Sequence, residues 1–427
     1  MKQKWQQFLL SLGPGILFAS TSIGVSHLVQ STRAGATYGF GLVWAILLAN
    51  LLKYPFFEYG SRYANATGTS LIDGYQKQGK WALGLYILIT VLSMFFVSAA
   101  VGAVTAGFLD QLFGISAILG AQGSFLAIVL LVSVVVVVLW LGQYQALDKL
   151  IKLIGAVLLL STLAAVVLLI FRGPVDEPFR FFAAEALEPG TVHFAFLIAL
   201  MGWMPTAIDL STWNSLWTLA RIKQSGYRPT LRQTIFEFRT TYIITALLAP
   251  CFVLLGAYLL YGTSYQMPAS AADFANAVVQ LYVQTFGAWS SLIITAAAFS
   301  IMFGTAIAVF DGYARAAQRV WYWVGKPFGK WESHSQKPYR VFLLLLAGGT
   351  VGIVFYFSTS LKTLVDIATT LSFVLAPVIA AMNFRLVTHR AFPRAARPGV
   401  FLRTLSIAGI VFLTAFSLLY LYQVVLA

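Results

Sequence analysis

The chain has one cysteine, four histidines and few charges, with 14 Asp and Glu and 28 Lys and Arg in 427 residues. With Cys251 alone, an intramolecular disulfide and a cluster of metal-binding thiolates are both excluded. Cys251 lies in an apolar run, where a small packing residue is expected. The histidines, at positions 27, 193, 334 and 389, are scattered, and no His-Glu-x-x-His or Gly-x-Ser-x-Gly motif occurs. That argues against a membrane-embedded enzyme. Long polar stretches are also missing, so no soluble domain is expected; the longest connections fall near 172–192 and 312–338. Charged residues make up 10% of the chain, against roughly a quarter in soluble domains.

What fills the chain is apolar, 59% of its residues. No soluble core could hide so much. Hydrocarbon gives backbone amides no hydrogen-bond partner, so spanning structure must be helical or a closed barrel. Unbroken runs such as Phe125 to Leu141 choose helices. Stretches of about twenty apolar residues fall at 8–31, 38–62, 81–113, 122–142, 146–171, 193–220, 239–262, 286–311, 339–358, 362–383 and 401–424. The fold class expected is therefore an all-α membrane protein of eleven transmembrane helices. The first run is too long for a signal peptide and has no clear cleavage pattern after it, so it reads as a retained helix.

The net charge of +14 is explained by placement. Lys2, Lys4, Arg62, Lys77, Lys80, Lys149, Lys152, Arg221, Arg232, Arg319, Lys326, Lys330 and Arg385 fall in alternate connections. Acidic stretches with Asp176, Glu177, Glu185 and Glu188 lie on the other side. The positive-inside rule then gives a cytoplasmic N-terminus and an external C-terminus, in a bacterial inner membrane. Nucleic acid binding is not expected, and no obligate protein partner is evident; the partners are the bilayer and a small inorganic ion.

Function in such a protein is expected where helices break, because unwound backbone at membrane depth is tolerated only inside the protein or on a cavity. Two polar, Gly- or Pro-containing patches interrupt the runs. One is Thr21-Ser22-Ile23-Gly24-Val25-Ser26-His27 in the first span; the other is Met201-Gly202-Trp203-Met204-Pro205-Thr206 in the sixth. Proline removes a helical hydrogen bond and glycine tolerates unwound angles. The breaks head two sets of five spans, about 8–171 and 193–383, within a single transporter domain covering 1–427, and helix 401–424 is appended. Five is odd, so the two halves enter from opposite sides, as an inverted repeat requires. Broken helices in corresponding halves fit alternating access better than a channel.

Gly13-Pro14-Gly15, Ala34-Gly35-Ala36-Thr37-Tyr38-Gly39, Leu48-Ala49-Asn50-Leu51 and Met204-Pro205 resemble the Nramp family of divalent-metal transporters. That resemblance implies the inverted-repeat fold first known from a sodium-coupled amino-acid transporter, with broken helices 1 and 6. The family's Asp-Pro-Gly-Asn metal signature falls on Gly24-Val25-Ser26-His27, so both of its ligands are replaced. Its metal-binding methionine falls on Met204, its sixth-span histidines on Thr206 and Ser211, and the third-span acids of its proton route on Ser98 and Val101. Only the methionine survives.

A divalent cation needs charge compensation, which carboxylate usually supplies. Its loss leaves hydroxyls at Thr21, Ser22, Ser26 and Thr206 beside half-helix ends, whose free amides attract anions. The substrate site expected is Thr21, Ser22, Gly24, Ser26, His27, Met201, Gly202, Met204 and Thr206. His27 shares a face with Gln30, where it either donates to substrate or satisfies a backbone carbonyl. Arg33 is expected to reach the outer interface. Lys53, Glu58, Asp209, Asp311 and Asp366 are the charges within spans, each a functional candidate because unpaired burial is costly. Lys53 attracts an anion, replaces a coupling cation, or pairs with Asp209 or Asp366. Asp366 with Thr369 and Thr370 suits a coupling Na+, or else bonds between helices. The function expected is secondary transport of a small anion such as bicarbonate, with sodium and no further cofactor. The alternative is a divalent metal cation, held by Met204 and His27 in a remodelled site.

Overall fold

The computed structural model describes residues 13–142, 160–177, 179–263, 266–268, 270–325, 335–357 and 360–426. Residues 8–12 of the first expected span and 146–159 of the fifth lie outside this set, as do Lys2, Lys4, Lys149, Lys152, Lys326, Lys330 and His334. Among the described residues the regular structure is helical, with no strand.

The first span is split into α1 (Pro14–Ser22), a π-helical turn (Ser26–Ser31) and α2 (Thr32–Tyr38). It is followed by α3 (Val43–Thr67), the short α4 (Leu71–Gln78), α5 (Lys80–Phe113), α6 (Gly123–Leu141) and α7 (Leu160–Arg172). The sixth span is split into α8 (Val192–Gly202) and α9 (Leu210–Ser225). Then come α10 (Leu231–Leu260), α11 (Ala271–Phe286), α12 (Ser291–Gly325), α13 (Lys337–Tyr356), α14 (Leu361–Thr388) and α15 (Val400–Leu426).

Seven helices among the described residues are long and apolar enough to cross a membrane. The remaining expected spans fall short for physical reasons. The first and sixth are divided, the fifth is described only from Leu160, and α3 is diluted by Asn50, Lys53 and Glu58. The helix α11 was not among the expected spans: it is a short helix whose N-cap, Ser270, accepts from the Asp273 amide.

Burial inverts along the chain. The two broken spans form the centre, with Phe18, Leu28, Met201 and Met204 fully buried. Helices α6 and α15 expose Leu130, Val137, Val411 and Leu418, as a lipid-facing surface would. Small residues let the central helices touch. A Cβ on Gly35 would strike the Val253 carbonyl, and one on Gly256 the Thr32 carbonyl, so α2 and α10 meet backbone to backbone, the usual close packing of membrane helices.

Candidate ion site at the two helix breaks

The first break satisfies itself. Helix α1 ends at Ser22, and Ile23 leaves the helical region at φ −79° and ψ 70°. Thr21 Oγ1 donates to the Leu17 carbonyl at 2.6 Å, and Thr305 Oγ1 donates to the Ser20 carbonyl at 2.8 Å. Gly24 is the position where α12 approaches: a Cβ there would stand 2.9 Å from Thr305 side-chain atoms. Ser26 Oγ lies 2.6 Å from the Ser22 carbonyl, 2.7 Å from His27 Nδ1 and 3.1 Å from the Pro205 carbonyl. That last contact joins the two breaks. His27 is buried with both ring nitrogens engaged, since its Nε2–H donates to the Thr245 carbonyl at 2.9 Å. Of the two roles open to His27, the structure shows the bond to a carbonyl. Ser22 Oγ is buried without a hydrogen-bond partner among the described residues.

The second break is held from outside. Helix α8 ends at Gly202, where a Cβ would collide with the Thr369 carbonyl of α14. The Met204–Pro205 peptide is cis, and Trp203 Nε1 donates to Ser372 Oγ at 2.8 Å. The carbonyls of Met201 and Gly202 accept from Lys53 Nζ, at 2.6 and 2.7 Å. The sequence suggests a carboxylate, Asp209 or Asp366, as a partner for Lys53; the structure gives two main-chain oxygens instead. They lie at the C-terminal, negative pole of α8, which favours a cation.

The carboxylates are engaged elsewhere. Tyr313 donates to Asp209 Oδ2 at 3.0 Å, and Asp209 occupies the N-cap of α9, which places a negative charge on that helix's positive pole. Arg33 pairs with Asp366 at 2.6 Å and lies 4.3 Å above the Phe196 ring. Gln30 Nε2 is 3.3 Å from Thr369 Oγ1 and 3.4 Å from Asp366 Oδ1. Thr370 faces a cavity that Asp366, Arg33, Phe196 and Tyr420 also line. Asp366 thus shares Gln30 with Thr369 and a cavity with Thr370, and its Oδ1 is already paired with Arg33.

Between the breaks lies a cavity of about 20 Å³, lined by Thr21, Val25, Ser26, Val101, Trp203, Thr206, Trp213 and Thr305, among others. It has room for about one water-sized guest. Thr21, Ser26 and Thr206 meet there, as the sequence suggests, while Met204 is buried behind them, 4.0 Å from Ser31 Oγ. Trp203, Trp213 and Thr305 were missed: an aromatic or a threonine in a hydrophobic run carries no mark of facing a cavity. Gly24, His27, Leu28, Met204, Leu210 and Ser211 all donate their amides to nearby carbonyls. No group of three or more His, Cys, Asp or Glu converges among the described residues.

Comparison with known proteins agrees with this architecture. A family model described as natural resistance-associated macrophage protein-like matches residues 15–423. The chain belongs to the Nramp family. An uncharacterised protein of Pasteurella multocida is 34% identical over 99% of this chain and 94% of its own length. The divalent metal cation transporter MntH of Bacillus subtilis is 29% identical over a shorter stretch, 27% of this chain and 28% of its own. Among solved structures, a manganese transporter of Eremococcus coleocola superposes with a TM-score of 0.73 at 13% identity, covering 97% of this chain and 86% of that one. This Nramp chain is thus an all-α, multi-pass membrane transporter with the inverted-repeat fold, and not an enzyme.

Proposed function

We propose that this Nramp chain carries a small metal cation, divalent as in the name of the Bacillus subtilis relative, through a remodelled site at its two breaks. The observation that carries this reading is the carbonyl pair of Met201 and Gly202, which already holds a positive charge at 2.6 and 2.7 Å. A half-helix C-terminus with unwound carbonyls is how broken-helix transporters hold cations. The Met204 thioether belongs to the same break, adding a soft donor. Bicarbonate, the anion that the sequence suggests, finds no support among the relatives, whose names are those of divalent metal and manganese transporters. The basic connections favour a cytoplasmic N-terminus, and the cation passes by alternating access around Ser26 and Pro205, where the breaks touch.

Reconstitution tests this reading. Proteoliposomes containing a manganese-quenched dye should fill faster than empty vesicles, with the rate saturating in external Mn2+. Uptake equal to that of empty vesicles, with proton gradients imposed in either direction, overturns it, above all if radiolabelled bicarbonate enters in the same preparation.

A further inference from the structure

We infer that Lys53 is a tethered cation that occupies the substrate's own carbonyl ligands, and so sets both the affinity and the charge class of the transported ion. The inference rests on the cation reading above. Lys53 sits mid-helix in α3, fully buried, and among the described residues takes part in no ion pair. Its ammonium has three donors, and two of them reach the Met201 and Gly202 carbonyls. A buried ammonium is tolerated only when its charge is compensated. Here the compensation comes from the negative pole of α8.

The spacing makes the two cations exclusive. Metal ions bind carbonyl oxygens at about 2.0–2.6 Å, so an ion on these oxygens would stand where the ammonium nitrogen now is. The lysine also has the means to yield, because its charge rides on a flexible four-carbon stem. A structural cap needs no such reach, and an Asn or Ser on a nearer helix would cap the same carbonyls without burying a charge. Lys53 thus holds the carbonyls in place while the site is empty of metal, and the incoming ion must displace it.

The test replaces the charge while keeping the stem. In Mn2+ binding to purified full-length protein, Lys53→Met should bind at least about tenfold more tightly than wild type, whereas Lys53→Arg should bind no better. Should Lys53→Met fail to fold, Lys53→Gln keeps a donor for one carbonyl and should still gain about threefold. Unchanged or weaker affinity in the neutral variants overturns the inference. Flux separates it from the reading beneath it. Tighter Mn2+ binding in Lys53→Met with no Mn2+ uptake by wild type supports the role of Lys53 and removes metal transport. Mn2+ uptake by wild type with no gain in either neutral variant removes the role of Lys53 and leaves transport standing.

Discussion

The two broken spans meet opposite needs by opposite means. In the first, the exposed pole that is held from another helix is the positive one: Glu237 Oε1 of α10 accepts from the Gly13 and Gly15 amides, at 3.1 and 2.8 Å, where α1 begins. In the second, the pole held from another helix is negative, and Lys53 serves it inside the break. The first break itself is closed by its own hydroxyls, Thr21 and Ser26, and by Thr305. The charged cap of α1 therefore lies at the end of its helix, whereas that of α8 lies in the break. A charge at a helix end fixes how the helix sits; a charge inside the break competes with whatever the break binds.

The difference also extends to packing, and the largest effect should be found there. At Gly202 the obstacle to a Cβ is the Thr369 backbone carbonyl, while at Gly24 it is the Thr305 side chain at 2.9 Å. A threonine side chain can rotate, but a helix backbone has to move as a unit. Overpacking costs about 1–3 kcal/mol. Gly202→Ala should reach or pass the upper end and lose most of the folded protein, whereas Gly24→Ala should stay near the lower end, giving up chiefly the Thr305 bond to the Ser20 carbonyl. Thermal midpoints by size-exclusion chromatography would order the two. Equal losses would mean that the second break has no tighter backbone contact than the first.

A smaller effect is expected at the cap of α1. Glu237→Gln keeps an oxygen for the Gly13 and Gly15 amides and removes only the charge, so the loss should be about 1 kcal/mol, the usual size of a charge at a helix terminus. Glu237→Ala, which also removes the acceptor, should cost more. If both variants were as stable as wild type, the symmetry between Glu237 and Lys53 as caps of opposite poles would fail.

How far this arrangement could be read from sequence depends on which partner is a side chain. The spans were legible because lipid imposes a run of about twenty apolar residues, and the breaks because Gly24 and Pro205 stand among polar residues inside such runs. The partners of Lys53 were not legible: main-chain carbonyls carry no residue type, so a search for partners among side chains points to Asp209 and Asp366. The Glu237 cap was missed because its donors are the backbone amides of Gly13 and Gly15. Helix α11 left a readable signal in Ser270 and Asp273, spaced as an N-cap and its third helical residue.

The smallest effect concerns the helix that touches both breaks. α14 meets the second break through the Thr369 carbonyl under Gly202 and the first span through side chains, Asp366 to Arg33 and Thr369 to Gln30. The Arg33–Asp366 pair is partly open, with 14% and 29% of its side chains exposed, so a double-mutant cycle of Arg33→Ala and Asp366→Ala should return about 0.2–1 kcal/mol. Its larger consequence is electrostatic. Arg33 already neutralises Asp366, so replacing sodium with choline should leave uptake by the wild type unchanged. Arg33→Ala frees the carboxylate beside the Thr369 hydroxyl, so sodium dependence should emerge in that variant if these oxygens can hold the ion at all. Sodium-dependent uptake in wild type that vanishes in Asp366→Asn would reverse this ranking, because α14 would then carry a coupling ion and not a structural pair.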